Sequence, residues 1–438
     1  MRKARHSIFI LGWDFDSRIR LRPDVPGSPT LGDLLRELVD QHSQLEVRAL
    51  IWSAAVVHAP SEPKQLLLGA EWDKHERIKI KLDTFHPIYA AHHQKVVVID
   101  DSIAFAGGMD LTVRRWDSHP HMVDNPARVS PEGAPYAPIH DVQMAVDADA
   151  AASLADMARD RWLRATGEDL SPCSERHDIW PATLPADFVE NNIAVARTYP
   201  QLGECESVTE VERLTRASLR LARKHIYIEQ QYMTAPFVGD ILRDHLRKPD
   251  GPEIMVLMTR ESRGIVERLV MGHNRDRLIR RLKKHDHHGR LRVCYPTIRS
   301  ENGDAQVMVH SKLMVIDDWF LRIGSANLNN RSMGLDSECD LAIEAHDQDA
   351  RQAINRLRWR LIGEHLDAEP QVIAAHADIS GSMIATIDHF NKNGRGFECF
   401  EAMTNRGPTR PVLGTSILDP ARPFEPLWFL RRKKRRNT

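Results

Sequence analysis

The sequence predicts an α/β fold made of two duplicated halves. Apolar, β-branched runs alternate with segments of helical spacing throughout most of the chain. The run HQKVVVID that begins at His93 recurs as HSKLMVID at His310. A small-residue turn follows each run, and its first glycine, Gly107 or Gly324, stands at the same distance from the motif histidine in both copies. Several matched positions at one offset indicate an internal repeat.

In the first half, strands and helices are predicted from apolar periodicity. A strand is expected over His6 to Phe15, and a helix over Leu31 to Val39 with Thr30 as its N-cap. The remaining elements are a strand over Leu45–Trp52, a helix near Lys64–His75 and strands over Ile78–Leu82, Val96–Ile99 and Ser102–Ala106.

The second half repeats this order. Lys224 to Tyr232 matches the opening strand, and Gly264 to Lys284 is a long helical segment rich in arginine. Further strands are predicted over Ile193–Arg197, Ile254–Met258, Leu291–Tyr295, Met308–Ile316 and Phe320–Ile323.

These patterns divide the chain into three parts. We expect a first domain over residues 1–190, a second over 191–375, and a loosely ordered extension over 376–438 that ends in the basic run Arg431–Arg436. The net charge of −1 provides no overall field for nucleic acid. Five scattered cysteines without a C-x-x-C pair predict free thiols in a reducing cytoplasm. No run of 18 apolar residues predicts a transmembrane helix.

The two repeated motifs bring together residues suited to transfer of a phosphoryl group. On an extended chain, His93 and Lys95 point to the same side, and so do His310 and Lys312. Lysine offsets phosphate charge, whereas histidine can attack phosphorus or carry a proton near neutral pH. The motif aspartates, Asp100 and Asp317, are interpreted as structural residues at strand ends.

The motifs resemble the signature of the phospholipase D superfamily, H-x-K-x4-D followed by a G-G or G-S turn. The second copy continues as GSANLNNRS from Gly324, and the first as GGMDL from Gly107 and RWD from Arg115. These features, with the run YIEQQY that begins at Tyr227, resemble the branch of eukaryotic-type phospholipases D and their bacterial relatives. The resemblance implies two αβα sandwich domains related by a pseudo-twofold axis, with a single active site at their interface.

The resemblance also implies residue roles. His93 is assigned as the nucleophile and His310 as the general acid and base, although the symmetric sequence does not decide this order. Lys95, Lys312 and Asn327 are expected to bind phosphate oxygens. Ser325, Gly108 and Asp110 are the predicted substrate-binding residues. Asp110 stands where the second half has Asn327, and because an ionised carboxylate cannot donate to phosphate, a different task is expected for it.

A catalytic histidine also needs an acceptor on its second ring nitrogen. The family places a carboxylate beyond the glycine turn, and Asp117 and Glu338 are the predicted partners. No cofactor and no metal are predicted. His285 to His288 resembles a metal cluster, but a solvated helix end is the favoured interpretation. His119 and His121 are interpreted as cleft-mouth or surface residues.

The function predicted from these features is a phospholipase D-type phosphodiesterase. It would hydrolyse or transphosphatidylate a glycerophospholipid at a membrane surface through a phosphohistidine. Alternatives are a phosphatidyltransferase of the cardiolipin synthase type, a nuclease of the same superfamily, and a non-catalytic membrane-binding protein. No stable nucleic-acid partner is expected, because duplex binding needs a broad basic face. Peripheral attachment to the membrane is predicted, with the apolar and basic end of the chain as one candidate contact.

Overall fold

The computed structural model describes residues 1–53, 74–261, 271–300, 303–392, 394–412, 415 and 419–423. The helix predicted near Lys64–His75 lies almost entirely outside these residues, as do the first part of the Gly264–Lys284 segment and the basic end of the chain. Among the described helices, none is long and apolar enough to cross a membrane.

The first half forms one mixed sheet with two described helices. Its strands are β1 (Ser7–Gly12), β2 (Glu46–Trp52), β3 (Ile78–Asp83), β4 (Val96–Ile99), β5 (Ile103–Gly107) and β7 (Gln143–Asp147), with the short β6 (Ile139–His140) outside the sheet. The six strands of the sheet follow the order β3-β2-β1-β4-β5-β7. The helices are α1 (Leu31–Gln41), which Thr30 caps through its side chain as predicted, and α2 (Ala148–Thr166).

The second half forms a larger sheet. Its strands are β8 (Ala194–Tyr199), β9 (Val208–Thr209), β10 (His225–Gln230), β11 (Glu253–Met258), β12 (Leu291–Ile298), β13 (Ala305–Gln306), β15 (Leu313–Ile316), β16 (Phe320–Gly324), β17 (Glu338–Glu344) and β18 (Arg395–Cys399), with the short β14 (Met308–Val309) outside the sheet. The central path is β13-β12-β11-β10-β15-β16-β17-β8-β9. The helices are α3 (Glu210–Leu221), α4 (Pro236–Arg247), α5 (His273–Lys283), α6 (Asn330–Gly334), α7 (Gln348–Leu366), α8 (Pro370–Ser380) and α9 (Met383–Phe390), followed by a 3₁₀ turn over Glu401–Met403.

The two sheets share one strand order. β1, β2 and β3 are parallel, as are β10, β11 and β12. The motif strand lies antiparallel to the opening strand in both halves, as β4 beside β1 and β15 beside β10. The next two strands continue the antiparallel pairing, as β5 and β7 or as β16 and β17. The duplicated α/β architecture predicted from the repeat is therefore confirmed.

Alternating side chains on the opening strands bury both faces of each sheet. On β1, Ile8 and Ile10 pack with α1, whereas Phe9 and Leu11 join a core that also contains α2, α7 and the inner face of the second sheet. On the outer face of the second sheet, Ile226 and the other apolar residues of β10 and β11 pack against α3, α4 and α5. Both halves thus meet through one continuous apolar core.

Two predictions from the sequence are corrected here. The strand predicted over Met308–Ile316 divides into β14 and β15, because β14 pairs with β6 of the other half. The expected loose extension from residue 376 is also wrong for its described part up to Met403. The predicted end of the second domain at residue 375 falls inside α8, and β18 pairs with β12. Apolar residues such as Met383, Ile387 and Phe397 are buried there, which stabilises this segment. The domain boundary near residue 190 stays a prediction.

Candidate active site

Each motif histidine lies just before a motif strand and is held by the opposite half of the molecule. The backbone N–H of His93 donates to the carbonyl of Ser337 at 2.9 Å. In the same way, the N–H of His310 donates to the carbonyl of His140 at 2.8 Å. These reciprocal contacts are those expected for two halves related by a twofold axis. They place both motifs at the interface between the halves.

The carboxylate partner of each histidine also comes from the opposite half. Nδ1 of His93 lies 3.0 Å from Oε2 of Glu338, and Nδ1 of His310 lies 2.8 Å from Oδ2 of Asp141. Both carboxylates are buried, with side-chain exposures of 0%. A carboxylate on Nδ1 fixes the ring orientation and leaves Nε2 available for chemistry. Glu338 therefore occupies the position predicted for it.

Asp117, the other predicted partner, lies elsewhere. Its carboxylate accepts hydrogen bonds from Arg128 at 2.9 Å and from the N–H of Ile139 at 2.9 Å, and it lies 3.0 Å from Nδ1 of His121. The prediction that Asp117 orients a catalytic histidine is therefore wrong. Its role is to hold the long loop between β5 and β6.

Strand register explains why Asp141 takes this place. Gly107 pairs with Gln143 across β5 and β7, and Gly324 pairs with Asp340 across β16 and β17. Asp141 and Glu338 each precede those partners by two residues, so they are structural equivalents. The stretch of chain between the turn and this carboxylate is much longer in the first half than in the second. The distance along the chain from the last strand of each half predicts Asp141 as the partner, whereas the distance from the glycine turn does not.

The turn residues support the carboxylates. A Cβ on Gly108 would lie 2.3 Å from Oδ1 of Asp141 and 2.8 Å from the carbonyl of His310, so only glycine leaves room for that pair. The fully buried Ser325 donates its hydroxyl to Oε2 of Glu338 and accepts from the N–H of Cys339. The backbone N–H groups of Gly108 and Ser325 donate to backbone carbonyls at or next to the start of β7 or β17. Both residues therefore support the carboxylates, and their contact with substrate stays a prediction.

The two motif lysines are buried and point back toward their histidines. Nζ of Lys95 donates to the carbonyl of His93 at 2.9 Å, and Nζ of Lys312 donates to the carbonyl of His310. Burial, together with the positive charge of Lys95, lowers the pKa of Lys312 to about 7, although the charge of Asp141 acts in the opposite direction. The positive charge of the first motif thus contributes to the shift at the second.

Asp110 and Asn327 take different positions in the two halves. Oδ1 of Asp110 accepts from the N–H of Trp13 at 2.8 Å, and Oδ2 lies 3.2 Å from Nζ of Lys95. This carboxylate anchors Lys95 to the end of β1, and the assignment of Asp110 to substrate binding stays a prediction. Asn327 is buried, and its Oδ1 has no hydrogen-bond partner among the described residues.

The electrostatic environments of the histidine–carboxylate pairs differ. Burial lowers the pKa of His310 well below its usual value, and the positive charges of Lys312, Arg115, Lys95 and His93 add to this effect. Burial likewise raises the pKa of Asp141. At Glu338, burial is opposed by the charge and hydrogen bond of His93, and the pKa is lowered. Arg115 therefore contributes positive potential to the site, although the sequence did not predict it as a site residue.

The two motif aspartates hold the opening strands. The carboxylate of Asp100 accepts from the consecutive N–H groups of Arg5, His6 and Ser7 at 2.7–2.8 Å. That of Asp317 accepts from the N–H groups of residues 223, 224 and 225 at 2.7–3.0 Å. Both aspartates have a φ of 51°, a left-handed conformation that aspartate tolerates better than most residues. These bonds fix the start of β1 and β10 beside the motif strands.

Comparison with known proteins yields matches to both halves. A family model described as phospholipase D matches residues 1–192, and one described as cardiolipin synthase, PLD-like domain, matches residues 216–360. Phospholipase D A of Dictyostelium discoideum is 24% identical over 84% of this chain and 34% of its own length. Phospholipase D alpha 1 of Vigna unguiculata is 22% identical over 83% of this chain and 62% of its own length. The chain thus spans between one third and two thirds of these relatives.

A solved structure, the phosphatidylserine synthase of Haemophilus influenzae Rd KW20, has a similar fold with a TM-score of 0.55 at 16% identity. The match covers 88% of this chain and 90% of that one. The paired motifs, the repeated sheet order and the two family models, which together cover most of the chain, lead to one conclusion. The chain belongs to the phospholipase D superfamily.

Proposed function

We propose that this protein is a phospholipase D-type enzyme that cleaves the distal phosphodiester bond of a glycerophospholipid. The observation that carries the proposal is the pair of histidines at the interface, each with a buried carboxylate from the opposite half on Nδ1. Two oriented imidazoles and two lysines suit a double displacement at phosphorus. The same groups suit either water or an alcohol as the final acceptor.

In the first step, Nε2 of His93 attacks phosphorus and forms an N–P bond. The bond from phosphorus to the headgroup oxygen breaks, and Nε2 of His310 donates a proton to that oxygen. Lys95 and Lys312 offset the charge on the phosphate oxygens. Asn327, predicted to assist, is suited to this task through the side-chain amide, which can donate to a phosphate oxygen.

In the second step, the neutral His310 removes a proton from water or an alcohol. The resulting oxygen attacks phosphorus, and the bond to Nε2 of His93 breaks. Hydrolysis then gives phosphatidate, and transfer to an alcohol gives a new phosphodiester. Both histidines return to their starting protonation states.

The lowered pKa of His310 makes its acid role depend on substrate. In the free enzyme its ring is neutral at pH 7, because burial and the nearby positive charges disfavour the imidazolium. An anionic phosphodiester between the two lysines offsets those charges and raises the pKa of His310. Protonation of His310 is thereby coupled to binding of the substrate.

A lipid substrate is supported by exposed apolar side chains near the first motif. Phe85, Ile88 and Tyr89 precede His93 in the chain, and Ile88 and Tyr89 are 71% and 70% exposed. Exposed apolar groups of this kind can enter the interfacial region of a bilayer. Peripheral attachment to a membrane is therefore part of the proposal, whereas a cytoplasmic location stays a prediction from the scattered cysteines.

Transfer to an alcohol is the second candidate function. The family model that matches residues 216–360 carries the description cardiolipin synthase, PLD-like domain. A phosphatidyltransferase would use the same phosphohistidine and replace water by a lipid hydroxyl. The chemistry of the site is shared by both functions, and the acceptor alone distinguishes them.

The test is incubation with mixed phospholipid vesicles, with and without a primary alcohol or phosphatidylglycerol, followed by analysis of the lipids. Phosphatidate with free headgroup supports hydrolysis, and cardiolipin or a phosphatidyl alcohol supports transfer. Intact lipid together with cleavage of single-stranded DNA would reject the lipid proposal in favour of a nuclease.

A further inference from the structure

A cluster of two buried histidines and one buried glutamate lies beside the proposed active site and is not used by the proposed reaction. His140 in β6, Glu229 in β10 and His365 near the end of α7 are all buried. One ligand atom from each of the three lies within 4.8 Å of the others. They come from the first half, the opening strand of the second half and a helix of the shared core. The chain therefore brings three ligand-type side chains together from distant positions.

Two of the three residues are held by contacts with their neighbours. Nε2 of His140 lies 2.8 Å from Oε2 of Glu229, and Nδ1 lies 3.1 Å from Oε1 of Glu364. Glu229 also accepts from the hydroxyls of Ser311 and Tyr227, each at 2.6 Å. Side chains that bind metals typically make hydrogen bonds of this kind to surrounding groups, and these bonds orient them.

His365 differs from the rest of the cluster. It is 2% exposed, and neither of its ring nitrogens has a hydrogen-bond partner among the described residues. Its ring centroid lies 4.6 Å from that of His140 and 5.7 Å from that of His121. A buried donor or acceptor without a partner costs about 1–3 kcal/mol, so such a group calls for an explanation.

We propose that His140, Glu229 and His365 bind a divalent transition-metal ion of the zinc type. Two imidazoles and one carboxylate are a ligand set that suits such ions. The ion would accept a lone pair from His365, which hydrogen bonding within the cluster leaves unused. It would accept a second from Nε2 of His140 once the proton that faces Glu229 is released to solvent. The charge of the ion would also offset that of the buried Glu229 and of the neighbouring Glu364.

The ion has a structural role in this proposal. Ser311, which follows the catalytic His310, donates to Glu229, and the carbonyl of His140 accepts from the N–H of His310. The cluster therefore holds Ser311 and the backbone of His310, and it joins the two halves at that point. The ion takes no part in the transfer of the phosphoryl group.

Metal content provides the first test. The wild-type protein is produced in medium supplemented with zinc, washed with a chelator, and analysed by mass spectrometry for metals. About one ion per chain is expected, with less than about a tenth of an ion in His365→Phe and Glu229→Gln. His177→Ala is the matched control, because His177 belongs to a separate group of three ligand-type residues near the surface, and it is expected to retain the ion.

A second measurement uses only the wild-type protein, so it does not depend on whether a variant folds. Wild-type protein produced with cobalt in place of zinc is expected to show the visible absorption of a four- or five-coordinate Co²⁺ ion without thiolate bands. The proposal is overturned if the wild type, produced with zinc, cobalt or manganese, retains less than about a tenth of an ion per chain. It is equally overturned if a folded His365→Phe protein retains as much metal as the wild type.

Discussion

Nδ1 of His93 lies 3.0 Å from the carboxylate of Glu338, a residue 245 positions away in the opposite half of the molecule. The reciprocal contact joins His310 to Asp141. Neither half contains both a motif histidine and the carboxylate that contacts its Nδ1. A complete catalytic pair therefore requires the two halves to pack against each other, which explains why one site arises from two motifs.

Replacement of the carboxylate at position 338 tests the orienting contact. Glu338→Gln keeps the size of the side chain but removes the negative charge that faces His93. We expect kcat to fall by about 10²–10⁴-fold, as in other sites where an amide replaces the carboxylate beside a catalytic histidine. The comparison is Glu344→Gln, which lies exposed at the end of the same strand. Unchanged kcat in a folded Glu338→Gln protein would contradict the role given to this residue.

The assignment of Asp141 rather than Asp117 gives a paired prediction. Asp141→Asn is expected to lower kcat by about 10²-fold or more, because His310 loses the acceptor that fixes its tautomer. Asp117→Asn breaks a buried ion pair with Arg128 and is expected to lower the free energy of unfolding by about 3–5 kcal/mol. Steady-state rates per folded molecule and chemical denaturation separate the two effects. A kcat loss confined to Asp117→Asn would restore the original prediction from the sequence.

The sequence was sufficient for the features that depend on local periodicity and repetition. The equal spacing of the two motifs predicts the duplication, and β-branched runs such as Val96–Ile99 predict the buried strands. The position of Asp141 could not be predicted in the same way. The loop between the turn and Asp141 in the first half is longer than the loop between the turn and Glu338 in the second half. His140, Glu229 and His365 likewise become neighbours only through the packing of both halves.

The close approach at Gly108 leads to a third prediction. A methyl group at this position would meet Asp141 and the backbone of His310. We expect Gly108→Ala to displace the His310–Asp141 pair and lower kcat by about 10-fold or more, since small misplacements at a reacting centre are costly. Gly272→Ala is the control, because no atom of the described residues lies within 4 Å of a Cβ there and its φ of −63° suits alanine. Equal rates for the two variants would argue against the packing described.

The pKa of Lys312 predicts the alkaline side of the pH profile. Burial lowers this pKa to about 7, so the positive charge that binds phosphate is lost as the pH rises through that value in the free enzyme. Because kcat/KM reports ionisation of the free enzyme, loss of this charge is expected to steepen, above about pH 7, the fall that deprotonation of His310 already causes. Arginine stays charged, so Lys312→Arg is expected to extend the profile to higher pH, whatever its effect on the maximal rate. An alkaline limb that does not move in Lys312→Arg would assign it to another group.

A covalent phosphohistidine distinguishes a double displacement from direct attack by water, and rapid-quench trapping detects it. His310→Ala and His93→Ala proteins are mixed with vesicles that carry ³²P-labelled phospholipid, quenched in alkali and digested to locate the label. The labelled lipid carries a p-nitrophenol headgroup, which leaves without protonation, so loss of His310 removes only the group that activates water. Label is therefore expected to accumulate on the peptide that contains His93, and none is expected in His93→Ala. Label on His310 in the His93→Ala protein, with none on His93 in the other variant, would contradict the assignment of the nucleophile.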